Sequence, residues 1–384
     1  MENFTLRKIT PEDAYEVYSL GALAWINPVD IDKRVAEEKF TPHGGALGLF
    51  TEKGELAASI TEEPFTVNFD GSLVPMNGIA GVSTKPEYRY GGSIRRIFSY
   101  ILEQSFSRGD VFSALFPFSH KFYRKFGYEM CCPNNKYAIE LDMLASMRVS
   151  MPIRRIECGE ESALLTDIHN AFAKKYNMCV HRTEDRSRNV NRGHTYRDLV
   201  NHFVIGDGAY ITFKHYESEG RIEVRDWAFT SEKYIPEILA LLGRFSPMMK
   251  TAEIYCPMEL PLEAYVESTH KITRTVDYGI MSRIVNAQKA LELCSIPEGA
   301  DFTVSVSDDG IPQNNGVWRV RPGSCVRTDA PADLECDIRT LALIVLGTWD
   351  LASVSGRPDV RINSNEETLK KTFRRKPVFL NDTF

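Results

Sequence analysis

The stretch that most constrains this chain runs from Gly78 to Tyr128. It opens with an apolar run (Ile79, Ala80, Val82), passes Pro86 and turns through Arg89, Tyr90, Gly91 and Gly92. Ile94, Ile97, Phe98, Ile101 and Leu102 then recur at helical spacing, which predicts a helix that ends at Arg108 and Gly109. Residues 111–116 read as a second strand. Ser119 is the expected N-cap of a short helix that Gly127 stops. The order is strand, glycine-rich turn, helix, strand, helix. A helix that starts on glycines offers free N–H groups and the positive end of its dipole. With Arg89, Arg95 and Arg96 beside it, the turn reads as a phosphate or pyrophosphate cradle; a plain structural turn is the alternative. Neither GxxxxGK(S/T) nor GxGxxG occurs, which excludes a P-loop and a dinucleotide fingerprint.

The chain has 384 residues, too many for one ordinary core, so two or three domains are expected. A net charge of −6 argues against a nucleic-acid binder and tolerates a cationic substrate. Eight scattered cysteines without a CxxC point to reduced thiols, not to a disulfide framework or a zinc site. The N-terminus lacks the basic and apolar blocks of a signal peptide, and no apolar run reaches membrane-spanning length. A cytoplasmic protein is the expectation.

Residues 4–9 read as a first strand. Thr10, Pro11, Glu12 and Asp13 then open a helix that runs to Trp25. A second helix is expected over 31–40. Residues 46–51, 56–61, 65–69 and 73 onward read as an antiparallel meander with turns at Lys53-Gly54 and Asp70-Gly71. Residues 136–141 are the expected last strand of a first domain, 1–150. Residues 151–286 repeat the pattern in part. Helices are expected over 162–177 and 195–203, a hairpin over 210–215 and 221–229, a helix over 234–245 and a strand over 252–256. The turn before that last helix, residues 230–233, has no glycine and no arginine, so this unit is expected to lack a cofactor loop; an unrelated α+β domain is the alternative. Arg182, Arg186, Arg188, Arg192 and Arg197 read as a solvated face or subunit contact, because no aromatic interleaving marks them for nucleic acid. Residues 287–384 read as a helix (287–293), strands (301–307, 316–320, 325–328) and helices (337–346, 366–373).

Val82, Pro86, Arg89 and Gly92 resemble the R/Q-x-x-G-x-G/A acetyl-CoA loop of the GNAT N-acetyltransferases, with Ile94 where that pattern has Gly or Ala. Pro86, Arg89, Gly92, Ile94 and Arg95, followed by Phe122, Tyr123, Arg124, Lys125, Phe126, Gly127 and Tyr128, resemble one branch, the Eis-type (enhanced intracellular survival) acetyltransferases. The resemblance spans essentially the whole chain and is motif-specific between Val82 and Tyr128. It implies an α+β (α/β) protein in three parts: an N-terminal GNAT fold (1–150), a degenerate GNAT-like domain (151–286) and a sterol-carrier-protein-like α+β domain (287–384). Lipid binding by the last part is not expected. The implied cofactor is acetyl-CoA, and the implied assembly is a homo-oligomer, a hexamer or smaller ring.

The resemblance also implies roles. The backbone at Val82, Ser83 and Thr84 would hold the pantetheine as an added strand, and an N–H near Val82 would polarise the thioester carbonyl. Arg89, Tyr90, Gly91, Gly92, Ser93, Ile94 and Arg95 would hold the pyrophosphate. Tyr123 would be the general acid to the CoA sulfur, with core packing beside Phe122 and Phe126 as the alternative. Tyr128, read as the start of a strand, is the other candidate acid. The implied base is the C-terminal carboxylate at Phe384. Its ordinary pKa of about 3.5 makes it weak unless burial raises it or a water bridges. A tail merely packed on the surface is the alternative. Trp25, Asp30, Phe40 and Asp382 are the candidate walls for a cationic acceptor; Trp25 and Phe40 suit a core equally well. His43, His120, His181 and His194 lack metal spacing, so no metal site is expected; His120 lies near the site. No cysteine in the motif could carry an acyl group, which implies direct transfer in a ternary complex. The implied acceptors are aminoglycoside- or polyamine-like amines. A protein lysine or peptide N-terminus is the first alternative, and a non-catalytic acyl-CoA or lipid-binding protein the second.

Overall fold

One long hairpin sets the first sheet. The computed structural model describes residues 4–26 and 28–383. Strand β1 (Phe4–Lys8) and helices α1 (Ala14–Trp25) and α2 (Ile31–Glu37) come first, and β2 (Ala46–Thr51), β3 (Leu56–Phe69) and β4 (Ser72–Thr84) follow as an antiparallel meander. The two short strands expected over 56–69 are one strand of 14 residues. It turns into β4 through Asp70 and Gly71, at φ 44° and 84°, the positive values that a two-residue hairpin turn requires. Helix α3 (Ser93–Arg108) crosses over to β5 (Phe112–Leu115), which lies parallel to β4. The short α4 (His120–Arg124) is capped by Ser119, whose hydroxyl oxygen accepts from the Phe122 N–H.

The chain then leaves this sheet. β6 (Asn134–Glu140), β7 (Ile153–Ile156), α5 (Ser162–Ala173), α6 (Glu184–Val190), α7 (Thr195–Asp198), β8 (Val200–Ile205), β9 (Ala209–Tyr216), β10 (Arg221–Phe229), α8 (Ile235–Gly243), β11 (Thr251–Cys256) and β12 (Ile272–Asp277) form the second unit. Its strands run in the order β12-β6-β11-β10-β9-β8-β7. β13 (Met281–Ile284) then returns to the first sheet, whose order is β1-β2-β3-β4-β5-β13. This corrects the expectation that residues 136–141 close the first domain. The sheets do not divide at residue 150, because the two units exchange strands. The lengths explain the exchange. β5 has four residues and takes the four-residue β13, whereas the seven-residue β6 matches β11 and β12 and buries Tyr137 and Ile139 in the second core.

The helix expected over 195–203 is also corrected. Leu199, at φ 55°, stops α7 after one turn. Val200–Ile205 then pairs with both β7 and β9, as its β-branched residues favour. The helices expected to reach 40 and 177 end at Glu37 and Ala173.

The third part holds α9 (Ala287–Leu293), β14 (Phe302–Ser307), β15 (Gly316–Arg321), β16 (Ser324–Thr328), β17 (Leu334–Asp337), α10 (Ile338–Leu346), α11 (Leu351–Val354), β18 (Arg361–Ile362) and α12 (Glu366–Thr372), with sheet order β16-β15-β14-β17-β18. Alternation along β5 places Leu115 in the core with Ile97, Phe98 and Tyr123, and Phe112 and Ala114 in the core with α10. The first sheet is therefore covered on both faces. Residues 377–383 thread between the units. Val378 and Leu380 enter the core shared with α10, and Phe379 packs on Phe172 and Tyr176 of the second unit. Among the described residues no helix is long and apolar enough to cross a membrane.

Arg283 on β13 pins the exchanged strand. It is fully buried and donates to Asp308 at 2.6 Å, to the Ile284 carbonyl at 3.1 Å and to the Phe126 carbonyl. Replacing Asp308 with Ala strands that guanidinium and will cost about 3–5 kcal/mol, read as a lower midpoint in urea unfolding. Asp308→Asn, which keeps an acceptor, will cost less.

Candidate active site

The site is built where β4 and β5 part. They pair in register from Met76–Phe112 to Ile79–Leu115, and β5 then ends while β4 continues to Thr84. Just past the last pair, β4 carries a bulge: Ala80 faces Thr61 and Ser83 faces Ser59, so Gly81 and Val82 together span the single Ile60. Gly81 sits at φ 59° with Thr61 Oγ1 only 3.2 Å from where a Cβ would lie, so any side chain there would be both strained and crowded. A bulge leaves its extra residue out of the ladder. Backbone groups at Gly81 and Val82 thus face the gap between the strands.

The chain beyond β4 is tied down before it turns. Lys85 Nζ is buried against Glu16 of α1 at 2.9 Å, and the same carboxylate accepts from the Leu56 N–H. Arg89, Tyr90, Gly91 and Gly92 then form an exposed loop. Tyr90 and Gly92 sit at φ 66° and 82°, and open space surrounds the position of a Gly92 Cβ. Ser93 and Ile94 begin α3 with their N–H groups free of intrahelical acceptors. Arg89, Arg95 and Arg96 are exposed and have no carboxylate partner among the described residues. Cations at the positive end of a helix repel it unless an anion intervenes. The loop therefore fits a pyrophosphate, and the glycines let it approach the backbone. The Ser83 hydroxyl donates to the Gly81 carbonyl and meets Ser59 at 2.9 Å, which leaves only its backbone for a ligand. Val82 and Ile94 pack partly on the α3-side core.

Tyr123 lies on α4, 1% exposed, with its ring against Phe98, Phe118, Phe122 and Tyr128. Its hydroxyl has no hydrogen-bond partner among the described residues. Burial raises its pKa well above that of an ordinary phenol, so the proton stays on the oxygen at any physiological pH. Tyr128 differs. It precedes a lone bridge at Glu129 and is not within a strand. It is fully buried and donates to Ser113 Oγ at 2.7 Å, and Ser113 in turn donates to the Asn77 carbonyl at 2.7 Å. Burial pushes its hydroxyl up to about 12. Tyr128 is a core residue.

The expected acceptor walls are largely spent on structure. Asp30 caps α2 by accepting from the Lys33 N–H at 3.1 Å. Phe40 packs edge-on against Tyr18 at 5.5 Å in the core under α1. Trp25 stays 60% exposed at the end of α1. Asp382 is 2% exposed and not open to a cation. Both its oxygens accept from Arg182 Nε and Nη2 at 2.9–3.2 Å, and Oδ1 also accepts from Arg186 Nε at 3.0 Å. Arg182 is itself buried and bidentate to Asp226 on β10, at 2.7 and 3.1 Å. Burial alone would raise both carboxyls, but Arg182 outweighs it and holds each below its ordinary value. Arg182 and Arg186 are thus not a solvated face. The apolar run Met178, Cys179, Val180 just before Arg182 was the sequence sign of its burial. Phe384 lies outside the described residues. His120 Nε2 donates to the Tyr278 carbonyl at 3.1 Å.

Comparison with known proteins agrees with this geometry. Residues 5–131 match the acetyltransferase (GNAT) domain family, and residues 287–381 match the sterol carrier protein domain family. The chain is an enzyme with a GNAT acetyltransferase domain and a sterol-carrier-type domain at its far end. No curated protein matches it. Among solved structures it is similar to a probable N-acyltransferase from Enterococcus faecalis V583 (21% identity, TM-score 0.85) and to a GCN5-related N-acetyltransferase from Anabaena variabilis ATCC 29413 (20%, 0.86). It is also similar to Eis1 from Mycobacterium abscessus (19%, 0.80). Each likeness covers 100% of both chains, and at these identities it is a likeness of fold.

Two measurements separate site from scaffold. Tyr128→Phe loses a buried hydrogen bond and will cost about 1 kcal/mol in urea unfolding, whereas Tyr123→Phe loses none and will leave stability nearly unchanged. The Arg182 network also sets acid sensitivity. Carboxyls held lower when folded give a contribution that is complete above about pH 4 and fades as pH falls through their folded values. Asp382→Asn will therefore flatten the acid limb of a stability-versus-pH curve followed by tryptophan fluorescence.

Proposed function

We propose that this chain moves the acetyl group of acetyl-CoA directly to a primary amine of a cationic acceptor, in a ternary complex. The observation that carries the reading is the gap between β4 and β5. A glycine-started helix stands at one end of it, with arginines that have no carboxylate partner among the described residues, and Tyr123, whose hydroxyl has no partner among them either, packs beside its last strand pair. The backbone of Val82, Ser83 and Thr84 presents an edge on which a pantetheine adds as a strand. Arg89, Tyr90, Gly91, Gly92, Ser93, Ile94 and Arg95 hold the pyrophosphate. Acetyl-CoA, the usual donor of this domain class, supplies the activated acyl group as a thioester. An N–H at the Gly81–Val82 bulge is the donor for a developing oxyanion. As the C–S bond breaks, Tyr123 Oη gives its proton to the leaving sulfur, and the proton lost by the attacking amine nitrogen returns the phenol to its neutral form.

The acceptor class rests on the Eis-type resemblance, the likeness to Eis1 and the exposed ring of Trp25, which suits a cation. Aminoglycoside- or polyamine-like amines are the reading, within a homo-oligomer. The test is thiol release from acetyl-CoA with aminoglycosides, polyamines and lysine peptides side by side. Turnover is expected with the first two. Turnover with peptides alone would move the acceptor to protein, and acetyl-CoA binding without thiol release from any amine would sink the enzymatic reading. Tyr123→Phe will lower kcat by about 10²-fold or more while acetyl-CoA affinity stays the same.

A further inference from the structure

We propose that Arg186 is the positioning residue for the acceptor side of this site: it clasps the C-terminal segment against β3, the neighbour of the strand that borders the gap. The inference rests on reading that gap as an acetyltransferase site. All three guanidinium nitrogens of Arg186 are committed, each to a different partner. Nε donates to Asp382 at 3.0 Å, Nη1 donates to Glu63 at 2.6 Å, and Nη2 donates to the Thr383 carbonyl. The guanidinium plane also lies 4.7 Å over the Phe65 ring. One side chain of α6 thus holds both the first sheet and the incoming segment.

The place it holds is specific. Glu63 and Phe65 pair with Gly78 and Met76 of β4, and Gly78 pairs in turn with Ala114 of β5. That is one residue before the last β4–β5 pair, so the clasp sits level with the point where the strands part, one strand away across β4. Gly78 leaves room there; a Cβ would sit 2.6 Å from the Phe65 ring. Phe65, Met76 and Ala114 share one core, and Tyr123 belongs to the core on the other face of the sheet. The clasp and the acid therefore flank the gap from opposite faces. Asp382 is anchored a second time by Arg182, and Phe379 is packed between aromatic rings. Loss of Arg186 alone leaves those anchors in place. What it frees is Thr383 and Glu63.

A small displacement of an aligned group is enough to cost about 10²-fold in rate. Arg186→Ala is expected to lower kcat/KM for the amine by about that factor, with the dissociation constant for acetyl-CoA changed less than twofold. Arg186→Lys keeps the charge but cannot serve three divergent acceptors, so it will recover thermal stability and not the rate. Glu63→Ala removes the β3 arm without touching the buried ion network, and will give the same split in weaker form. It stands in if Arg186→Ala fails to fold. An amine kcat/KM for Arg186→Ala within twofold of the parent overturns the clasp, as does full recovery of rate by Arg186→Lys. A parallel loss of acetyl-CoA affinity overturns it too. A parent protein that binds acetyl-CoA but acetylates no amine removes the underlying reading instead, and is seen before any variant is made.

Discussion

The buried charge of Arg182 is the constraint on which the arrangement of the three parts depends. A lone guanidinium out of water is prohibitively costly, and this one is tolerable only because Asp226 and Asp382 arrive from two directions. Asp226 comes from the second sheet and Asp382 from the far end of the chain. Tyr210 and Asn191 complete the set by donating to Asp226 at 2.8 and 3.0 Å. If any member is missing, the others are left charged and dry. The network cannot be half built, so it fixes the segment 377–383 against the second unit before chemistry is considered. Arg186 then carries the same chain of charge to Glu63 on the first sheet.

The second unit repeats the backbone device of the first and uses it differently. β10 and β11 run parallel from Arg221–Thr251 to Glu223–Glu253, and a bulge at Arg225 follows at once, as the bulge on β4 follows its last pair with β5. In the first unit the parting strands meet a glycine loop and arginines that have no carboxylate partner among the described residues. In the second, the residues after the bulge fill the space. Asp226 turns to Arg182, and the Trp227 indole N–H donates to the Tyr255 carbonyl at 2.8 Å, bridging toward β11.

Much of this was legible in the sequence where the signal was local. The spacing of Ile97, Phe98, Ile101 and Leu102 gave α3, and each is buried. Ser119 and Gly127 bounded α4, and Asp70-Gly71 marked the hairpin. The strand exchange was not legible. β13 is a four-residue strand with no alternation to mark it, and which sheet β6 and β13 join is decided by partners far along the chain. The carboxylates misled for the same reason. Asp30 and Asp382 looked available because an acid in a sequence carries no sign of its partner. For Asp382 that partner lies 200 residues away. Residues 195–203 read as helical because apolar spacing alone cannot weigh a left-handed Leu199.

The strand exchange has a consequence for the chain as it is made. The first sheet lacks its edge strand until β13 has left the ribosome, some 170 residues after β5, or roughly ten to thirty seconds at ordinary synthesis rates. In that interval the free edge of β5 is exposed next to the acetyltransferase core, and β6 is already present as a wrong partner of suitable chemistry. Capture of β6 by β5 would leave β11 without its neighbour and the second unit unfinished. A nascent chain of this design must keep that edge unpaired until the right strand appears.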